Sequence, residues 1–197
     1  MDLWGIAGAA ALCYLMGAIP FSYLAGRLKG IDVRQHGSGN VGATNVTRVV
    51  GVGYGVLALL GDVGKGVAAA WLVSAWQVPS WVAGLAVIGH NWSLFLRFTG
   101  GKGVATTVGL MLGFALWPAL LATVAIWIAT VLVTQYVAVG SMVALLLAPG
   151  TLYLLQTKNL EMIGLFFALG LLTVWQHRSN IRRIAQGTEG RIFKRRS

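Results

Sequence analysis

Residues 103 to 157 read GVATTVGLMLGFALWPALLATVAIWIATVLVTQYVAVGSMVALLLAPGTLYLLQT and contain no Asp, Glu, Lys or Arg. An α-helix needs roughly 20 apolar residues to cross the hydrocarbon core of a bilayer. This run is long enough to cross at least twice, and a small soluble domain could not enclose an uncharged segment of that length. The stretch therefore predicts an all-α membrane protein.

Two further uncharged runs, Leu3 to Gly26 and Gly66 to Leu96, extend this pattern along the chain. With 57% hydrophobic and 10% charged residues, they predict a polytopic protein of seven transmembrane helices, some of them short. We expect a single domain over residues 1–197. The predicted helices are about 3–26, 50–76, 80–97, 103–117, 118–134, 140–156 and 161–177. Because the fourth is short, a five-crossing arrangement with half-helices dipping in from the inner face stays open.

The basic residues that give the chain its net charge of +10 are unevenly spread. Four lie between residues 27 and 48, Arg97 and Lys102 bracket the next short loop, and seven follow residue 177. Because basic loops stay cytoplasmic, the pattern predicts an external N-terminus and a cytoplasmic C-terminus. The charges and aromatic residues do not form the interleaved pattern that is typical of a nucleic-acid groove. We therefore expect membrane lipid, and no nucleic acid, as a partner of the basic tail.

The loop after the first predicted helix contains RQHGSGNVGATNVTR, residues 34–48. Glycine-rich backbone with exposed N–H groups, hydroxyls and a nearby arginine is what a phosphate or oxyanion requires. Gly37, Gly39 and Gly42 match a dinucleotide-binding fingerprint as a string, but no βαβ unit surrounds them. Neither Gly-Lys pair of the chain is followed by Ser or Thr, so a nucleotide-hydrolysing P-loop is not expected.

Three other segments place polar residues at predicted helix ends. They are Thr99-Gly100-Gly101-Lys102-Gly103, Gly140-Ser141 and His177-Arg178-Ser179-Asn180. In the seven-helix topology they share the inner membrane face with the first loop. We therefore expect them to form one site for a phosphorylated substrate at the lipid–water boundary.

Asp62 and Lys65 interrupt the second predicted helix. Three residues apart, they share a helix face and can pair, and an isolated charge at the bilayer centre costs about 2.5–3.5 kcal/mol. An internal salt bridge and a direct substrate contact both stay open as roles for the pair. The pentapeptide Gly-Lys-Gly-Val-Ala, at residues 64–68 and 101–105, suggests two similar helix starts. His90 is expected to be structural.

Three segments form a specific set: Gly37-Ser38-Gly39-Asn40-x-Gly42-Ala43-Thr44-Asn45-x-x-Arg48, Gly100-Gly101-Lys102-Gly103-x-Ala105-Thr106 and His177-Arg178-x-Asn180-Ile181-x-Arg183. Together they resemble the motifs of the bacterial acyl-phosphate:glycerol-3-phosphate acyltransferase (PlsY-type) family. The resemblance covers nearly the whole chain. It implies a seven-helix inner-membrane enzyme that acylates the sn-1 hydroxyl of glycerol 3-phosphate from an acyl phosphate, with cytoplasmic motifs and no metal or other cofactor.

The resemblance and the polar segments together nominate the site residues. The expected catalytic residues are Ser38, Arg48, Lys102, His177 and Asn180. The expected substrate-binding residues are Gly39, Asn40, Thr44, Asn45, Gly101, Gly103, Thr106, Ser141 and Arg178. Arginine suits bidentate capture of a phosphate, and lysine suits a point-charge contact. Backbone N–H groups near residues 101–103 are candidates for an oxyanion hole.

The sequence allows more than one proton acceptor and more than one class of function. His177 can accept the hydroxyl proton, or it can be a neutral hydrogen-bonding residue at a helix end. We favour substrate-assisted catalysis, in which a phosphate oxygen takes the proton. The non-enzymatic alternatives are a carrier for a phosphorylated solute and a scaffold whose basic tail binds anionic lipid. A carrier is disfavoured because the polar groups cluster at one face.

Overall fold

The computed structural model describes residues 3–192, and the regular elements within that range are helices. Its α-helices are α1 Leu3–Ala18, α2 Phe21–Arg27, α3 Ala43–Val49, α4 Val52–Ala75, α5 Leu85–Asn91, α6 Val104–Gly113, α7 Trp117–Thr134, α8 Val137–Leu155, α9 Leu160–Gln176 and α10 Arg178–Ala185. Short 3₁₀ helices, Ser80–Gly84 and Leu94–Leu96, flank α5. The basic residues 194–196 of the tail lie outside the described residues.

Within residues 3–192, four stretches are long and apolar enough to cross a membrane: Leu3–Arg27, α4, α7 and α8. A fifth is added if α9 and α10, which meet at a bend of 48°, are counted as one span. Pro20 separates α1 from α2, since proline cannot donate the backbone hydrogen bond that a continuous helix needs. The chain is therefore an all-helical, multi-pass membrane protein, as its sequence predicts.

The prediction of one continuous helix over residues 80–97 is wrong. Only Leu85–Asn91 is α-helical, and the chain leaves the helix at Trp92. The hydroxyl of Ser93 donates to the carbonyl of Ala18 at 2.5 Å, and its backbone pairs with Thr99. A serine that is satisfied in this way competes with helical hydrogen bonding, which explains the break.

The predicted helices 3–26 and 50–76 leave residues 27–49 as a loop, and this prediction is wrong for the last seven residues, which form α3. Thr44, Asn45 and Arg48 therefore lie on a helix. Of the two Gly-Lys-Gly segments predicted to start helices, only Gly101-Lys102-Gly103 does so, because it directly precedes α6. Lys65 lies in the middle of α4, and its neighbours Gly64 and Gly66 also lie within the helix.

Helix α6 is shorter than the predicted span of 103–117. It ends at Gly113, and Ala115 adopts a left-handed conformation with φ of 55°. The chain must turn here because Pro118 lies in the first turn of α7, where its missing N–H is tolerated. Ten helical residues rise about 15 Å, roughly half the hydrocarbon thickness.

The first compact unit of the chain ends at Ala115 and is organised around α4, which packs against α1, α2, α3 and α6. Glycines let α4 and α6 meet backbone to backbone. A Cβ on Gly66 would collide with the carbonyl oxygen of Thr106, and one on Gly109 would collide with that of Val63. Such close contact is how small residues join helices within a membrane. It fixes the start of α6 against α4.

The second compact unit begins at Leu116 and contains α7 to α10. Helix α8 packs against both α7 and α9. The side chains of Leu145 and Leu152 on α8, and of Phe166 on α9, are fully buried. A Cβ on Gly170 would lie 2.6 Å from the Leu145 carbonyl oxygen, so α8 and α9 also approach closely. This unit presents the polar junction between α9 and α10.

Candidate functional site

The first glycine-rich loop is shaped from beneath by Asn45, whose side chain is buried. Its Oδ1 accepts from the backbone N–H of Ser38 at 3.0 Å, and its Nδ2 donates to the carbonyls of Val33 and His36 at 2.9 and 3.1 Å. A Cβ on Gly37, which has φ of 63°, would collide with Oδ1. Asn45 therefore holds the turn that presents Ser38.

The exposed side of this loop carries the candidate side chains for an anion. Ser38, Thr44 and Arg48 are exposed, and the last two lie four apart on one face of α3. Gly39 adopts a φ of 70°, and the N–H of Asn40 faces the Ser38 hydroxyl at 3.4 Å. A hydroxyl, a guanidinium and turned backbone are thus presented together.

The other arginine of the motif, Arg34, is committed to a local ion pair. Its guanidinium contacts the Asp32 carboxylate at 2.6 Å and lies 4.8 Å from the ring centre of Tyr23. The hydrogen bonds from this side chain lower the pKa of Asp32 to about 2. The pair stiffens the stretch before the turn, which leaves Arg48 as the arginine presented on α3.

The second glycine-rich loop is seated on the end of α5. The N–H of Gly101 donates to the His90 carbonyl at 3.1 Å. A Cβ on Gly101 would collide with His90 Nε2 on one side and with the carbonyl oxygen of Val41 on the other. Val41 belongs to the first loop, so the structure brings the first and second motifs into direct contact.

Helix α6 begins directly after this loop. Gly103 has φ of 78°, and a Cβ there would collide with Val87 or crowd Asn91, so only glycine fits the turn into the helix. Lys102 is half-buried at this position. Thr106 is fully buried, with its carbonyl against Gly66 of α4, so it lies in the helix contact. Free N–H groups and the positive end of the helix dipole gather at the start of α6.

Asp62 and Lys65 form an internal ion pair, which is one of the two roles that the sequence allows them. Their carboxylate and ammonium lie 2.9 Å apart, and both side chains are 2% exposed. Ser22 donates to the other carboxylate oxygen at 2.9 Å. The pair thus joins α4 to α2 inside the first unit.

In the second unit, Ser141 and His177 are both buried and hydrogen-bonded to their own helices. The Ser141 hydroxyl donates to the Val137 carbonyl at 2.9 Å and accepts from Trp127 Nε1 at 3.3 Å. His177 Nδ1 lies 2.8 Å from the Thr173 carbonyl. Because a carbonyl only accepts, Nδ1 carries the proton, and in the neutral ring Nε2 carries the lone pair.

Glu189 binds two residues of the third motif at once. Its Oε1 accepts from Asn180 Nδ2 at 2.9 Å, and its Oε2 accepts from Arg183 Nε at 2.6 Å. Asn180 is buried at this contact. Arg178 points elsewhere: it is exposed and its guanidinium lies 4.1 Å from the Trp175 ring centre. Glu189 therefore orients Asn180, while Arg178 and Trp175 suit the membrane interface.

The family model described as glycerol-3-phosphate acyltransferase matches residues 7–187. The chain belongs to this family. A glycerol-3-phosphate acyltransferase of Gloeobacter violaceus is 44% identical over 202 residues, with 96% of each chain covered. The crystal structure of PlsY (YgiH), an integral membrane glycerol 3-phosphate acyltransferase, in its glycerol 3-phosphate form, is 35% identical with a TM-score of 0.87 and covers 95% of both chains. Its lysophosphatidic acid form is 34% identical with a TM-score of 0.83 and 94% coverage.

Membership of the glycerol-3-phosphate acyltransferase family was predicted from the motifs and is confirmed. Sequence reasoning gave no site role to the two groups that enclose Gly101, the His90 ring and the Val41 carbonyl. A buried histidine has no periodic signature, and a carbonyl has no sequence signature at all. The one available signal was position, since His90 lies ten residues before the Gly100-Gly101 pair.

Proposed function

We propose that this protein is an acyl-phosphate-dependent glycerol-3-phosphate acyltransferase. It transfers an acyl group from an acyl phosphate to the sn-1 hydroxyl of glycerol 3-phosphate and releases 1-acyl-glycerol 3-phosphate and phosphate, the first acylation of phospholipid synthesis. Family membership and the relative solved in glycerol 3-phosphate and lysophosphatidic acid forms support the proposal. The observation that carries it is the contact of Val41 with Gly101, which joins the two glycine-rich loops proposed to bind the anions.

The chemistry asks little of the side chains beyond binding and orientation. An acyl phosphate is an activated mixed anhydride with a good leaving group, so the protein must gather two anions and stabilise an oxyanion. Holding reactants in place can supply roughly 7–11 kcal/mol. In this proposal the Arg48 guanidinium binds a phosphate through two hydrogen bonds, and the Ser38 hydroxyl donates to the same phosphate. Lys102 adds a positive charge that attracts the phosphate.

The oxyanion donors are proposed to be backbone N–H groups in the first turn of α6. The N–H of Gly101 already donates to the His90 carbonyl, so it does not serve this role. The groups that follow Gly103 point out of the helix start beside Lys102 and act with the helix dipole. Preorganised donors of this kind cost no reorganisation during the reaction.

His177 and Asn180 are proposed to bind substrate phosphate, and a phosphate oxygen of the substrate takes the hydroxyl proton. The hydrogen bond of His177 Nδ1 to Thr173 fixes the ring orientation, which suits a binding role as well as a base. A His177→Gln variant separates the two. Retained turnover with weakened binding supports substrate assistance, whereas less than a thousandth of the activity at unchanged glycerol 3-phosphate affinity contradicts it.

We further propose seven crossings in one acyltransferase domain of the bacterial inner membrane, with the N-terminus outside and the C-terminus cytoplasmic. The segment 80–91 with the residues that follow it, and helix α6 with the turn after it, would add two short crossings to the five longer spans. Basic residues in 27–48 and after residue 177 support this orientation. No cofactor is proposed, because the anhydride already carries the activation.

A donor comparison tests the proposal directly. The detergent-purified protein is incubated with glycerol 3-phosphate and an acyl phosphate, an acyl-CoA or an acyl-carrier protein, and product and released phosphate are measured. Turnover with the acyl phosphate is expected. Turnover only with the thioesters overturns the donor, and flux of a phosphorylated solute into vesicles without turnover identifies a carrier.

Matched alanine variants separate the enzyme from a lipid-binding scaffold. Arg48→Ala and Lys102→Ala should each lose at least a hundredfold in kcat/KM while melting like the wild type. Lys158→Ala is the control, because Lys158 is exposed between α8 and α9, lies 5.0 Å from the ring centre of Tyr153 and belongs to none of the three motifs. Full turnover in all three variants contradicts the assigned roles.

A further inference from the structure

Inside the first unit, three ionisable side chains are buried together where no substrate role has been assigned. Asp62 and Lys65 lie on α4, and His90 lies on α5. Their side chains are 2%, 2% and 7% exposed. Buried charges in membrane helices are costly unless they are well paired, and they tend to be retained for function. The contacts of each group indicate what this function is.

The ammonium of Lys65 is buried and surrounded by protein groups. It has three N–H donors, and three acceptors surround it: the Ile19 carbonyl at 3.1 Å, His90 Nδ1 at 2.7 Å and the Asp62 carboxylate at 2.9 Å. The first two contacts are hydrogen bonds and the third is an ion pair, so protein groups hold the ammonium in place. Its interactions point inward, to the carboxylate and the imidazole.

The lysine also fixes the state of His90. An ammonium can only donate, so Nδ1 of His90 accepts, and the neutral ring carries its proton on Nε2. Nε2 is the ring atom that borders Gly101, which the Val41 carbonyl also borders. The backbone carbonyl of His90 accepts from the N–H of the same glycine. One residue thus constrains Gly101 through both its ring and its main chain.

A small recess borders both these groups and the two motif loops. Asp62, Lys65 and His90 line one part of it, and Val41 and Gly100 line another. The charged side chains therefore lie directly behind the joined loops rather than at a remote helix contact. A shift of the imidazole would be transmitted to the glycine loop that precedes Lys102.

We propose that Asp62, Lys65 and His90 form a buried brace that positions the Gly100–Gly103 loop for acyl transfer, with His90 as the positioning residue in contact with Gly101. This inference rests on the proposed acyltransferase function. None of the three residues touches substrate in this scheme. A misplacement of about 1 Å in a reacting geometry can cost a hundredfold in rate, so the brace matters for turnover.

Two substitutions at His90 test the proposal because they preserve opposite halves of the ring. His90→Asn keeps a polar group near the Nδ1 position for Lys65 but leaves the Gly101 side empty. His90→Gln reaches towards the Nε2 position but withdraws the acceptor from Lys65. We expect kcat to fall 10- to 100-fold in the His90→Asn variant and by less in His90→Gln. The melting temperature should fall more in His90→Gln than in His90→Asn. Activity that simply follows the melting temperature in both variants overturns the brace.

Charge removal gives a second, independent arm. Lys65→Met alone leaves a buried carboxylate and can prevent folding, so the double variant Asp62→Asn/Lys65→Met is compared with the control Lys158→Met. The double variant should fold and lose at least tenfold in kcat, since His90 loses the donor that sets its ring. Wild-type kcat in the folded double variant contradicts the proposal.

Hydrogen exchange keeps the brace testable if the proposed function fails. In the wild type, peptides covering residues 98–103 should exchange slowly, and in His90→Asn they should exchange at least tenfold faster. Wild-type protein that lacks turnover with every donor overturns the enzyme assignment, and faster exchange in the variant still supports the brace. Unchanged exchange in His90→Asn overturns the brace, whatever the activity.

Discussion

Replacing Glu189 with glutamine isolates the contribution of one carboxylate to the third motif. The carboxylate accepts from Asn180 at 2.9 Å and from Arg183 at 2.6 Å. A glutamine amide has one acceptor oxygen, so it can satisfy only one of these two donors, and its NH₂ group faces the other. The substitution changes no volume, which leaves the hydrogen bonds as the variable.

The expected magnitude follows from which bond is lost. A hydrogen bond to a charged group contributes about 1.5–3 kcal/mol, but the Arg183 side chain is one-third exposed and its pair with Glu189 is screened, which lowers its share to about 1 kcal/mol. Loss of orientation at the buried Asn180 should therefore cost about 1–2 kcal/mol. We expect kcat/KM for glycerol 3-phosphate to fall roughly tenfold, since about 1.4 kcal/mol is a factor of ten.

The assay is phosphate release at varied glycerol 3-phosphate, together with a thermal melt in detergent. The melting temperature should fall by a few degrees, as about 1 kcal/mol shifts a chain of this size by roughly 2–4 °C. Glu161→Gln is the matched control, because Glu161 is exposed in the first turn of α9. It should keep kcat/KM within about twofold. If Glu189→Gln retains wild-type kcat/KM, Glu189 does not orient Asn180 for catalysis.

Three further predictions follow from the first unit and the topology. Arg48→Lys keeps the charge but loses the guanidinium fork, so the KM for glycerol 3-phosphate should rise at least tenfold with a smaller change in kcat; an unchanged KM excludes bidentate capture. In a Cys13→Ala background, Lys158→Cys should react with an impermeant thiol reagent added outside intact cells, whereas Ser38→Cys should react only after permeabilisation; the reverse pattern refutes the proposed orientation. The pKa of Asp32 lies at about 2, below its ordinary value, so its ion pair stabilises the fold above about pH 4 and this stabilisation is lost as the pH falls towards 2. The melting temperature of Asp32→Asn should accordingly lie below that of the wild type at pH 6 and converge with it near pH 2, and a constant difference would refute the pairing.

The membrane class and the long helices were predictable because they depend on local composition. Apolar composition and the breaks between apolar stretches predict α4, α7 and α9 to within about two residues. The family also followed from local motifs, since glycine, amide and cation spacings are visible along the chain. These are properties that neighbouring residues determine among themselves.

The failures arose where distant residues decide the local conformation. Ser93 ends the helical course after α5 by bonding to Ala18, a residue 75 positions away. The short helix α3 has no length or periodicity that distinguishes it from a loop. The hydrogen bonds by which Asn45 holds the first loop have no sequence signature either, because their partners are recognised only in three dimensions; its predicted role in substrate binding stays a prediction.

The glycine contact between α4 and α6 has a consequence for the lipid around the protein. Helix α4 is long enough to span the bilayer, whereas α6 covers about half of it, and their backbones are pressed together at Gly66 and Gly109. A spanning helix adjusts its tilt when bilayer thickness changes. Because α6 must follow α4, thinner or thicker host membranes should displace the Lys102 loop, so reconstituted activity should peak at one lipid acyl-chain length.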